Sequence, residues 1–229
     1  MMSKVQAVIK MHFKDRWSWF MVPAIVLFSS FLVNLFISFL VRDEQGIQSG
    51  GVSSIYIYTL VLGILVPAQT FSFSIGLSVR RKDYFWGVVT AMAIFTVVIA
   101  LLLSLLSIIE GDWTGGWGVK LSYFHLPYLN DGNIAVQFGV SLCLLLFMSF
   151  MGLFIASIVR RYGRKGMYAF TLVMMAALTV TSYLLTYYKT WGPVFEWLGD
   201  HSAWLNAVML LPLAALFGLC SFLMLRKAS

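Results

Sequence analysis

Charged side chains are missing from six long stretches of this sequence, 17–41, 45–79, 84–109, 132–159, 166–188 and 201–225. Each is longer than the about 20 apolar residues a helix needs to cross the hydrocarbon of a bilayer. The pattern predicts an all-α integral membrane protein, with residues 1–229 forming a single domain of six transmembrane helices at approximately 19–41, 55–79, 85–109, 135–159, 167–188 and 204–225. Ahead of the first span, Val5, Val8, Ile9 and Phe13 recur at helical spacing, with Lys4, Lys10 and Lys14 elsewhere around the helix. That pattern predicts a short amphipathic N-terminal helix in the membrane interface, with a plain basic anchor as the alternative. The first apolar run is too long for a signal peptide's core and no small-residue cleavage site follows it, so it is read as an uncleaved span.

Composition removes whole classes of function. Only 11% of residues are charged against about 25% in soluble domains, 60% are hydrophobic, and the mean hydropathy is +0.87. A soluble enzyme, a nucleic-acid-binding domain and a secreted disulfide scaffold are excluded. Cys143 and Cys220 both lie in apolar segments. The net charge of +7 is explained by where the charges fall.

Six crossings place Lys4, Lys10, Lys14, Arg16, Arg80, Arg81, Lys82, Arg160, Arg161, Arg164, Lys165, Arg226 and Lys227 on one side, and Arg42, Lys120 and Lys189 on the other. Acidic residues show the reverse, with Asp15 and Asp83 on the first side. Positive charge accumulates in cytoplasmic loops, so both termini are expected there. The outer segments around 110–134 and 189–203 carry Trp113, Trp117, Tyr123, Trp191 and Trp197, which predict an interfacial piece or a short surface helix.

No charged residue falls inside a predicted span, which argues against proton-coupled antiporters, voltage sensors and ion pumps. Uncharged polar and small residues do form stripes. Ser30, Asn34 and Ser38 share one face of the first span; Thr59, Gly63, Pro67, Thr70 and Ser74 share one face of the second; Ser149, Gly152 and Ala156 share one face of the fourth. Such stripes serve first as helix-packing faces. The alternative is a substrate-facing cavity, for which Asn34, Ser38, Gln69 and Thr70 are the candidates, because a buried amide needs partners. Pro67 is expected to kink the second span. Enzyme motifs such as H-E-x-x-H, G-x-S-x-G and Walker A are absent. His12, His125 and His201 have no metal-site spacing. Glu110, Asp112 and Asp131 are read as solvated loop charge in preference to a site for a cationic substrate.

The stretch Thr70 to Gly87 carries the most specific local pattern. A Gly/Ser-rich helix end with Gly76 and Ser78 runs into Arg80 and Arg81, then Asp83, the aromatic pair Tyr84-Phe85, and Gly87. With the leader Lys10 to Phe20, this resembles the permease subunits of bacterial ABC transporters of the ABC-2, type V exporter-like group, in Gram-positive members. The resemblance rests on about 35 residues and the six-span outline. It implies a multi-pass protein of the bacterial plasma membrane, paired with a second permease copy or paralogue and with ATP-binding subunits that hold ATP and Mg. The chain itself would bind no cofactor and would not be an enzyme. It further implies that Arg80, Arg81, Lys82, Asp83, Tyr84 and Phe85 form the turn that couples to the ATPase, and that Arg160, Arg161, Arg164 and Lys165 form a second cytoplasmic contact. Topology alone would also explain these arginines. The other functional class left open is a non-transporting sensor, immunity or accessory protein that binds a peptide or lipid.

Overall fold

The computed structural model describes residues 4–41, 46–125 and 132–227. They form an almost wholly helical bundle: α1 (Lys4–Lys14), α2 (Trp17–Val41, opening with one wide π turn), α3 (Ser53–Gly76), α4 (Arg81–Ile108, extended by a π turn to Trp113), α5 (Ile134–Tyr187), α6 (Trp191–Asp200) and α7 (Ala203–Arg226). Two-residue strands β1 (Ile47–Gln48) and β2 (Leu121–Ser122) pair in parallel. Five helices, α2, α3, α4, α5 and α7, are long and apolar enough to cross a membrane. The chain is thus an all-α protein of membrane character.

The predicted fourth and fifth spans fall within α5. Its 54 residues would reach about 80 Å as one rod at 1.5 Å per residue, far beyond a bilayer core. The helix is broken at Gly163, whose φ of 66° and ψ of −162° no helix contains. Residues 154 and 170 would be about 24 Å apart on a continuous helix. Instead the rings of Phe154 and Phe170 meet at 5.8 Å, so the chain folds back at Gly163. Glycine tolerates this left-handed backbone because it has no Cβ to clash. The first arm, 134–162, packs against α3, α4 and α7, whereas the second, 164–187, has no buried residue.

Helix α1 forms as its spacing predicts, but its apolar face is covered by protein. Val8 is buried against Gly87 at the start of α4, where an added Cβ would lie 2.6 Å from the Val8 side chain. His12, one turn further along that face, is buried too. Helix α3 continues from Ser53 to Gly76 with Pro67 inside it. At its middle Gly63 faces Gly152 of α5, with each glycine's missing Cβ leaving room for the other's backbone. Around Gly63 and Gly152 the small-residue stripes of the second and fourth predicted spans therefore pack against each other.

Two clusters of buried apolar side chains lie towards opposite ends. One gathers Val8, Trp19, Val66, Phe71, Tyr84 and Phe85; the other gathers Phe31, Val52, Ile55, Leu103, Tyr123 and Phe124. The first lies at the end where the basic residues collect. There Lys4 donates to the Ser78 carbonyl (2.9 Å), Arg81 to the Arg226 carbonyl (3.1 Å) and Arg160 to Ser72 Oγ (2.9 Å). The surface helix expected around 189–203 is present as α6, which buries nothing.

Candidate functional site

At the end opposite the basic residues, the side chain of Glu110 is only 2% exposed. It sits on the same helical stripe as Ala100, Leu103 and Ser107, all buried, so the last turn of α4 carries it inward. The loop after β2 then wraps around it. Glu110 Oε1 accepts the backbone N–H of Tyr123 (2.9 Å) and of His125 (2.9 Å), Oε2 accepts the Trp117 indole (2.8 Å), and the Phe124 N–H is shared between the two oxygens (3.1 and 3.0 Å). These donors would otherwise be unpaired in an irregular buried segment, and a carboxylate has lone pairs for all of them. Glu110 is therefore not the solvated loop charge its sequence position suggested. Asp112 is exposed, in keeping with that reading, and Asp131 lies outside the described residues.

The polar stripe of α2 serves the same cap. Asn34 Nδ2 donates to the Ser30 carbonyl (2.8 Å), Ser49 Oγ donates to Asn34 Oδ1 (2.6 Å), Ser30 Oγ to the Gly51 carbonyl (3.2 Å) and Ser38 Oγ to the Val119 carbonyl (3.0 Å). Phe31 closes it from below, its ring 4.9 Å from Trp117, 5.4 Å from Tyr123 and 5.5 Å from Phe124. Ser107 adds a bond to Gln137 (3.1 Å) and lies 3.3 Å from His125 Nδ1. Asn34 and Ser38, candidates for a substrate cavity, are thus engaged in holding loops to α2.

Gln69 and Thr70, the other two cavity candidates, are in the basic half. The four do not come together. Gln69 and Thr70 line a cavity of about 220 Å³ between the end of α1, the start of α2 and α3, together with Met11, His12, Asp15, Ser18, Trp19, Leu62, Leu65, Val66 and Phe73. His12 is 3% exposed and its Nε2 has no hydrogen-bond partner. Burial pushes its pKa down to about 4, with the Asp15 carboxylate opposing the shift, so the imidazole is neutral at ordinary pH. The Tyr58 hydroxyl donates to the Ser18 carbonyl beside the cavity.

The basic turn divides into a surface and an anchor. Arg80 and Lys82 are exposed, Arg81 and Asp83 half-buried, and Arg80 is the extended residue from which α4 starts. Tyr84 and Phe85 are buried among α1, α3, α4 and α7. The Tyr84 hydroxyl lies 2.8 Å from Thr70 Oγ1, and its ring meets Phe71 edge-on at 5.3 Å. Phe85 packs on Phe222 at 5.1 Å. The aromatic pair therefore cannot itself touch a partner; it fixes the turn to the helices beneath. In the second basic group, Arg160 reaches inward to Ser72 and to the Ala68 carbonyl, with Phe71 beneath its guanidinium at 5.8 Å. Arg161 lies over the Tyr162 ring at 4.9 Å, while Arg164 and Lys165 are exposed.

His12, His125 and His201 belong to α1, the loop after β2 and the end of α6, and among the described residues no three metal-ligating side chains assemble. Cys143 and Cys220 are free thiols. In comparisons with known proteins, no family model, no curated protein and no solved structure matches the chain.

Proposed function

We propose that the chain is the permease subunit of a bacterial ABC exporter, crossing the plasma membrane six times with both termini in the cytoplasm. In this reading it moves substrate by alternating access, driven by a separate ATP-binding subunit, in a complex with a second permease copy or paralogue. The observation that carries the proposal is the construction of the start of α4. Exposed Arg80 and Lys82, flanked by Arg81 and Asp83, offer a charged surface, while Tyr84 and Phe85, immediately behind, are locked to α3 through Thr70 and to α7 through Phe222. A partner that displaces this surface moves two long helices with it, because closely packed interiors transmit displacement instead of absorbing it. The second arm of α5, with no buried side chain, leaves an apolar surface for the second copy and the lipid.

The fold-back at Gly163 supports six crossings, and the accumulation of Lys4, Arg81, Arg160 and Arg226 at one end supports a cytoplasmic face there. With Cys143 and Cys220 replaced by alanine, single cysteines at Lys165 and Lys189 are expected to react with an impermeant maleimide from opposite sides of the membrane. Reaction from one side would remove the six-crossing topology.

The coupling role is tested by co-expression with the ATP-binding subunit that this reading requires, the complex being purified by a tag on the permease. Arg80→Glu with Lys82→Glu is expected to lower ATPase recovery at least about fivefold, since it places like charges where the surface was basic. Wild-type recovery and wild-type stimulation of ATP hydrolysis in the double variant would reject the coupling role and favour the non-transporting sensor or accessory reading.

A further inference from the structure

An apolar groove of about 340 Å³ runs between α2 and α4, starting at the end of α1. Apart from the Trp19 indole, none of its lining side chains can hydrogen-bond. Trp19, Leu27, Ile55 and Phe95 close its floor, each 3% exposed or less. Phe20, Phe28, Ile94 and Val98 stand at its edges, 42–46% exposed, and Ala24 is exposed beside them. Residues 19 to 28 rise about 13 Å along α2, close to the depth of one leaflet in a hydrocarbon core about 30 Å thick. An unfilled recess forfeits the dispersion contacts of its walls. Around a helix of this hydropathy the apolar molecule at hand is lipid.

The end of the groove lies where positive charge collects. Phe13 of α1 reaches over it, its ring 5.6 Å from Trp19 and 6.2 Å from Phe20. Lys10 and Lys14 lie within about 100° of Phe13 around α1, and Arg16 precedes α2; all three are exposed. Residues 4–41 hold four Lys or Arg and a single acidic residue, Asp15. Asp15 Oδ1 accepts the Ser18 N–H at 3.3 Å, and the residue lines the other cavity, towards α3, and not this groove. A phosphate at the groove's end therefore meets net positive charge.

We infer that the groove seats one acyl chain of an anionic glycerophospholipid from the leaflet at the basic end, with the lipid phosphate held by Lys10, Lys14 and Arg16. The lipid accounts for both faces of α1: the apolar face is covered by protein at Val8, and the basic face meets the headgroup. A zwitterionic lipid offers the same chain without the net charge. A helix of a second copy, about 10–12 Å across with its side chains, would lie over the edges and leave the recess unfilled. The site stands whether or not the chain transports.

The test places the full chain in phosphatidylcholine nanodiscs doped with a phosphatidylglycerol that carries a diazirine in one acyl chain. After irradiation, adducts are located by peptide mass spectrometry. They are expected to concentrate on Ala24, Phe28, Ile94 and Val98, and unlabelled phosphatidylglycerol should suppress them at least about fivefold more effectively than added phosphatidylcholine, since one basic residue near a membrane surface is already worth about that factor. Lys10→Gln, Lys14→Gln and Arg16→Gln together should abolish this preference. Ala24→Trp fills the groove from an exposed position; it should keep the thermal midpoint and remove most groove adducts without lowering those on residues 164–187. Adducts spread evenly over the lipid-facing helices, equal competition by the two lipids, or a preference that survives the triple substitution would overturn the assignment. So would an unlabelled groove in which Ala24→Cys, with the native cysteines replaced, cross-links two copies; the groove would then be an interface between copies.

Discussion

Replacing Glu110 with leucine is expected to release the whole cap at the end of α4, at a cost on the order of 5 kcal/mol. The estimate follows from what the carboxylate holds. Three backbone N–H groups, those of Tyr123, Phe124 and His125, and the Trp117 indole all donate to it. Each buried donor deprived of its acceptor costs about 1–3 kcal/mol, and some will recover water as the loop loosens. Glu110→Gln is the sharper experiment, because it conserves shape. Its amide oxygen can serve only part of this set, while its NH₂ group is turned against donors. A loss of about half the leucine value is therefore expected. Hydrogen exchange at Tyr123 to His125 should accelerate in step with a lower thermal midpoint of the solubilised protein. Asp112→Asn, two residues along but exposed, should leave both within error. Unchanged exchange at those three amides in Glu110→Gln would refute the role given to the carboxylate.

That cap also shows where the sequence is readable and where it stops. The charge-free stretches fall on the long apolar helices, because hydrocarbon excludes charge on every face of a span, although the stretch 45–79 opens well before α3 starts at Ser53. The turn back at Gly163 is foreshadowed by the charges from Arg160 to Lys165, although the backbone on either side is helical. Glu110 was misread because its character depends on donors supplied 7 to 15 residues later by an irregular loop. Its helical register with Leu103 and Ser107 was the available signal, and it says only that the side chain points inward. The burial of His12 is hidden in the sequence for a related reason. The apolar spacing of Val5, Val8, Ile9 and Phe13 defines a face that includes position 12, but a histidine there reads as polar until its neighbours are known. Asn34 and Ser38 were correctly placed on one stripe. Their partners, Ser49 and the Val119 carbonyl, come from loops that periodicity does not describe. The division of Arg80 to Phe85 into exposed charges and buried rings likewise depends on α1, α3 and α7, which meet there only in three dimensions.

Gly152→Ala is the second substitution expected to have a large effect, although it adds a single methyl group. An added Cβ would collide with the Leu60 carbonyl oxygen and lie 2.9 Å from Gly63 Cα. From the other helix, a Cβ on Gly63 would lie 2.6 Å from the Ser149 carbonyl oxygen. Backbone faces backbone on both sides, so no side chain can rotate away, and α3 must separate from α5. Overpacking of this kind costs about 1–3 kcal/mol for a small group, and Gly152→Leu should exceed that range, since the helices can no longer cross at contact distance. The consequence reaches both ends of the molecule. Helix α3 carries Thr70, which meets Tyr84 beneath the basic turn, and begins at the cap beside Asn34 and Ser49. Tilting it away from α5 would loosen the turn and the cap together. Gly218→Ala is the informative comparison: its Cβ would meet only the edge of the Phe150 ring, at 3.1 Å, which can yield, so a loss below about 1 kcal/mol is expected. Thermal midpoints measured in one detergent by thiol-independent fluorescence would rank the three variants. Should Gly152→Ala prove as stable as Gly218→Ala, the close crossing of α3 and α5 would not be the contact that sets the bundle's geometry.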